Sequence, residues 1–279
     1  MTNLKFIPIV YNFVFLFFLS FLCPPPVSGQ NFVLKQTLTL PKNTAFFTTD
    51  GLGQIYVVTQ DNEVQKWTLD AATPVIQRFS DKKLGKIKLI DATNPFFVVV
   101  FYDDFQTIVL LDRAMSPVQS FALADVGVAQ AVTIGMSEQG DIWLFDAATN
   151  ELKKMQRDGR QLIPAKTLIF PLPAKAQVTQ IVARENVVYL NVPMLGIYTF
   201  DSFGKFLRKF DIKENQPIQW TEKQLIYRSE TEFYKFHTVS LATIPLVTLP
   251  EIAKHVQQIR LERGKLFAKN GDVLSVFGF

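Results

Sequence analysis

Six short runs of β-branched and aromatic residues recur along the chain: Gln54 to Thr59 (QIYVVT), Phe96 to Phe101 (FFVVVF), Asp141 to Phe145 (DIWLF), Val187 to Val192 (VVYLNV), Gln224 to Arg228 (QLIYR) and Lys265 to Ala268 (KLFA). Their first interior apolar residues are Ile55, Phe97, Ile142, Val188, Leu225 and Leu266, at intervals of 42, 45, 46, 37 and 41 residues. A polar turn follows each run. A further apolar run comes next in most copies, such as Val64 to Leu69 (VQKWTL), Thr107 to Leu111 (TIVLL) or Val273 to Phe277 (VLSVF). Gly, Asn, Asp and Pro punctuate the copies closely, the mark of an all-β chain. A four-stranded unit repeating every 40–45 residues or so is the blade of a β-propeller.

The two ends of the chain are complementary. The last copy stops at Phe279, just after its third strand, and Phe32 to Leu40 (FVLKQTLTL) precedes the first copy as a strand without a blade. Lending that strand to the last blade removes an exposed edge that would otherwise invite aggregation. The prediction is therefore an all-β, six-bladed propeller of four-stranded blades over residues 30–279, with Phe32 to Leu40 beside Val273 to Phe277 in one sheet. The chain has 279 residues, 48% of them apolar, ample for such a core.

The first 29 residues differ in kind. Lys5 is the only charged side chain before Asn31, and Phe13 to Leu22 (FVFLFFLSFL) is apolar apart from one Ser. That run is short of the roughly 20 residues a spanning helix needs. With Pro24, Pro25 and Pro26 behind it and Val27-Ser28-Gly29 after them, it has the form of a secretory signal cleaved before Gln30. The rival readings are an uncleaved anchor, or lipidation at Cys23, for which Leu22 is a poor preceding residue. Cys23 is the only cysteine, so the mature chain has neither disulfides nor thiolate chemistry. An exported domain without disulfides points to a secreted or periplasmic protein of a bacterial envelope, with no stable membrane insertion once the signal is gone. The net charge of +4, or +3 without Lys5, is too mild for a nucleic-acid binder.

The segment Gly51 to Asp70 (GLGQIYVVTQDNEVQKWTLD) resembles the NHL-type repeat of six-bladed propellers, and Leu195 to Arg208 (LGIYTFDSFGKFLR) is similar to its second half. The resemblance implies the NHL or TolB-like fold and no particular activity, because that fold hosts binders, scaffolds and enzymes alike. Some six-bladed enzymes, such as lactonases, hold an axial divalent cation through Glu, Asn and Asp. The residues here at first-strand ends are Asp50, Asp91, Asn94, Glu138, Glu185, Glu222 and Glu262, in turns where acidic residues are common anyway.

No G-x-S-x-G elbow, H-E-x-x-H or phosphate-cradling Gly loop is present, and His237 and His255 are the only histidines. Five of the six loops joining successive blades carry lysine, giving Lys42, Lys86, Lys175, Lys213 and Lys254 as candidate partner- or anion-binding residues, with Lys82 and Lys83 beside Lys86. Acidic turns on the same face (Asp61, Asp103, Asp104, Glu230, Glu232) would form a rim outside that ring. Most phenylalanines are expected to fill the wedges between blades. The functional expectation is a monomeric, non-enzymatic propeller without cofactor or metal that binds a protein or polymer partner through one face. The alternatives are a metal-dependent hydrolase or lactonase and a scaffold in envelope assembly.

Overall fold

The computed structural model describes residues 32–69, 74–94, 96–164, 166–167, 177–214, 216–221, 223–251 and 256–278. The predicted signal, together with Lys175, Glu222, Lys254 and His255, lies outside them. After β1 (Val33–Thr39), the first blade is β2 (Thr44–Thr49), β3 (Ile55–Thr59), β4 (Glu63–Thr68) and β5 (Val75–Ser80). The second is β6 (Ile87–Asp91), β7 (Val98–Tyr102), β8 (Thr107–Leu111) and β9 (Pro117–Ala122). The third is β10 (Ala131–Met136), β11 (Ile142–Asp146), β12 (Glu151–Met155) and the two-residue β13 (Lys166–Thr167). The fourth is β14 (Gln180–Arg184), β15 (Val187–Val192), β16 (Gly196–Asp201) and β17 (Phe206–Phe210). The fifth is β18 (Gln219–Thr221), β19 (Gln224–Ser229), β20 (Glu232–Phe236) and β21 (Thr243–Thr248). The sixth starts with β22 (Gln258–Glu262), β23 (Lys265–Asn270) and β24 (Val273–Gly278). Its outermost strand is β1, antiparallel to β24 with Thr39 opposite Val273 and Val33 opposite Gly278. No helix among the described residues is long and apolar enough to cross a membrane.

The near-continuous apolar runs follow from burial on both faces of each blade. In β7, Val98, Val100 and Tyr102 pack towards the first blade, whereas Val99 and Phe101 pack towards the third. Every core cluster among the described residues is shared by two neighbouring blades. The cluster between the sixth and first blades joins Leu38 and Leu40 to Phe47, Ile55, Phe267, Leu274 and Val276, so it draws on both ends of the chain. Phe47, Phe101, Phe233 and Phe267 are fully buried as expected, but Phe96 and Phe203 are 59% and 71% exposed and fill no wedge.

The turns repeat as well. Asp50, Asp112 and Asp201 each accept backbone N–H groups from the second and fourth residues ahead, at 2.8–2.9 Å. This Asx geometry puts the residue three ahead at positive φ, hence Gly53 at +82° and Gly204 at +75°. Blades one to three also carry a bulge early in the first strand. In blades four to six the first two strands instead meet through two-residue hairpins, with both residues at positive φ in Glu185-Asn186 (+49°, +63°) and Arg263-Gly264 (+49°, +66°).

First strands of neighbouring blades touch around the axis, β10 with β6 and β14, β18 with β14 and β22, and β22 with β2. Each leaves one edge of backbone unpaired by its own sheet. Side-chain amides satisfy part of that edge: Gln258 donates to Phe47 O at 2.7 Å and accepts Phe47 N–H at 2.9 Å. Gln180 makes the same two bonds to Ile218, both at 2.9 Å, and Gln219 accepts Leu261 N–H at 2.8 Å. Gln258→Ala leaves both Phe47 groups without these partners and should lower stability by about 1–3 kcal/mol in urea denaturation. A change below about 0.5 kcal/mol, the usual scale of surface substitutions, would show the amide bridge to be dispensable.

Candidate functional site

The first strands all run towards the same face, and their last residues converge on an axial cavity of about 460 Å³, in the usual range for small-ligand sites. Its charged lining is divided across the axis. Asp50, Asp91 and Glu138 come from blades one to three, and Arg184, Lys223, Arg260 and Arg263 from blades four to six, with Glu262 on the basic side.

The acids of the first half are largely engaged. Asp50, 4% exposed, accepts Leu52 N–H, Gln54 N–H and, at 3.1 Å, the Tyr56 hydroxyl. Burial first, and Asp50 second, push the Tyr56 pKa well above its ordinary value. Asp91 accepts Thr93 N–H and, across the blade boundary, Met136 N–H, both at 2.8 Å. Asp91 therefore ties two blades together where a ligand for a hard cation would keep its lone pairs free. Among the described residues no three His, Cys, Asp or Glu side chains group so as to hold a metal ion.

The bases are poorly engaged. No carboxylate of the described residues lies within 4.0 Å of Arg184, Lys223, Arg260 or Arg263 in an ion pair. Arg184 reaches across the axis to donate to Thr93 Oγ1 at 2.9 Å and also bonds Ala183 O at 3.0 Å. Arg260 Nε is buried without a hydrogen bond, and so is Thr49 Oγ1, in another first strand lining the same cavity. Burial lowers both arginine pKa values, opposed by Asp91, Glu138 and Glu262 at Arg184 and by Glu262 and Asp91 at Arg260. An arginine nonetheless keeps its proton. Two charged donors thus line a space roomy enough for a ligand, and the guanidinium fork suits a carboxylate or a similar planar anion. With acids opposite, the cavity has no strong net charge to draw in a polyanion.

The lysines predicted from sequence lie elsewhere. Lys42, Lys86 and Lys213 lead into first strands at the opposite face of the propeller, and all three are exposed. Lys213 pairs with Asp211 at 3.0 Å, and the backbone N–H of Lys86 bonds Asp104. Of the axial acids, Asp50, Asp91, Glu138 and Glu262 line the cavity, whereas Asn94 bonds the Glu138 carbonyl and Glu185 caps an exposed hairpin. His237 follows β20, where its backbone closes a loop with Leu241 and Ala242. Arg184 and Arg260 belong to no recognisable sequence motif. The available signal was the period-two polar stripe in the short first strands, Gln258-Arg260-Glu262 above all.

No family model matches the chain, and no curated protein matches it. Among solved structures it is similar to a catalytically inactive histidine-to-alanine variant of virginiamycin B lyase from Staphylococcus aureus with quinupristin, at a TM-score of 0.63 and 13% identity over 89% of this chain and 100% of that one. A streptogramin B lyase gives 0.59 at 13% identity over 89% and 88%, and a chain of the mitotic checkpoint complex gives 0.56 at 11% over 100% and 99%. At such identities the likeness is one of fold.

Burial raises the Glu262 pKa above its ordinary 4.5, against the opposing pull of Arg260 and a 3.4 Å bond from Thr221. The unfolded chain therefore loses this proton first, and the Glu262 contribution to stability falls as pH rises from 4.5 through the raised value. Glu262→Gln, which keeps an oxygen for Thr221, should remove that decline when denaturation midpoints are compared across pH. Equal pH slopes in the variant and the parent would contradict it.

Proposed function

We propose that this protein is a non-enzymatic binding propeller of the NHL or TolB-like superfamily, secreted or periplasmic, that receives an anionic group of a protein or polymer partner in its axial cavity. The observation that carries this reading is the pair Arg184 and Arg260, which line the cavity with no carboxylate of the described residues in ion-pair contact. Both arginines are half-buried at the cavity wall, and a partly desolvated cation gains from an acceptor that replaces its lost water. A ligand carboxylate supplies the missing partner.

An enzymatic reading finds less support. The lyase neighbour is inactivated by replacing one histidine, and no histidine of the described residues lines the cavity here. A lactonase-like axial cation would need the carboxylates that Asp50 and Asp91 already commit to backbone and tyrosine donors. The apolar run and small-residue site before Gln30 support the export part of this reading, and the repeat at Gly51 to Asp70 supports the NHL part.

Calorimetric titration with N-acetylglycine, a minimal carboxylate, tests the reading. Saturable binding is expected, weakened about tenfold or more by Arg184→Gln or Arg260→Gln as a charge-assisted bond becomes a neutral one. Undiminished binding in both folded variants, or none to the parent, would overturn it.

A further inference from the structure

The axial cavity has a mostly apolar neighbour. A cleft of about 350 Å³ opens between the third and fourth blades, and Arg184 lines both spaces. Its floor is Trp143, only 1% exposed, and its walls include Leu162, Ile163 and Phe203. The one lysine in it, Lys154, is already paired with Asp141 at 3.0 Å and lies 5.4 Å from the centre of the Trp143 ring. The charge of that lysine is thereby neutralised, which leaves Arg184, among the described residues, as the cleft's unpaired cation.

Phe203 is the unusual member. It is 71% exposed, yet it stands on a turn fixed by Asp201, whose carboxylate accepts the N–H groups of Phe203 and Lys205 at 2.9 Å. A large apolar side chain exposed to water on a turn whose backbone is fixed, beside a cleft, offers a contact surface. Gln139, Asn186 and Ser202 border the same cleft and offer donors and acceptors for amide groups.

We propose that the ligand is the C-terminal end of a peptide chain, its terminal carboxylate on Arg184 and Arg260 and its last side chain, apolar, in the cleft between Trp143 and Phe203. This rests on the anion-accepting reading of the axial cavity. Two features select this occupant. A terminal residue carries its carboxylate and its side chain on one carbon, matching two spaces that share one arginine. An internal Asp or Glu would instead have to pass its chain both ways across a rim that already carries Glu138 and Glu185.

Fluorescence anisotropy with the purified protein and three labelled probes decides the matter: an Ala-Ala-Phe peptide with a free C-terminus, its C-terminal amide, and Ala-Ala-Gly with a free C-terminus. The first should bind saturably, with amidation and the loss of the Phe ring each weakening it about tenfold or more. Phe203→Ala should bring the Phe peptide close to the Gly peptide while leaving the latter unchanged. If acid and amide bind alike, or Phe and Gly peptides bind alike, the peptide inference fails. N-acetylglycine separates the two levels. Should it bind through Arg184 while the Phe and Gly peptides are indistinguishable, the cavity reading stands alone. Should no carboxylate bind, both fall.

Discussion

Everything in this molecule depends on closing the ring. A blade such as β6–β9 buries both faces of its sheet, so it has no solvent-facing side to fall back on. Each fully buried aliphatic or aromatic side chain contributes about 1.5–3 kcal/mol, and a break at any wedge exposes two rows of them. The seam between the sixth and first blades is where the two ends of the chain meet. It is held by Leu38 and Leu40 of the N-terminal segment against Leu274 and Val276, and by the two bonds between Gln258 and the Phe47 backbone. A side-chain amide presents the same donor and acceptor as a peptide unit, so it bridges unpaired strand edges that twist apart around an axis.

The same inner edges build the site. Longer turns in blades one to three place Asp50, Asp91 and Glu138 around one half of the cavity and occupy the first two with backbone donors. Tight hairpins and short first strands in blades four to six bring arginines to the other half, where no acid of the described residues meets them at ion-pair distance. The resulting cavity is polarised across its axis. On the proposed function such a site selects by the fork geometry of arginine more than by long-range attraction, which favours a single well-placed carboxylate over a polyanion.

The fold was legible because its determinants are local and repeated: alternating burial in runs such as FFVVVF, turn residues at fixed offsets, and an interval near 40 residues. The site was legible only in its acids, which sit in turns where Asp and Glu are conspicuous. Arg184 and Arg260 read as ordinary strand residues because the cavity they line is completed by other blades. Thr93, bonded by Arg184, is 91 residues away in sequence. The glutamines escaped notice for the same reason: Gln258 and Phe47 are 211 residues apart. Lysine in inter-blade loops, by contrast, is a surface habit that sequence pattern alone does not distinguish from a binding ring.

The axial arginines Arg184 and Arg260 are proposed to meet a carboxylate. Anomalous diffraction from crystals grown with 4-bromobenzoate tests it most directly, since the bromine marks both position and orientation. The account predicts the carboxylate between Arg184 and Arg260 with the bromine directed towards Trp143 and Phe203. Bromine density confined to the lysine-bearing face, with the axial cavity filled by water, would contradict it.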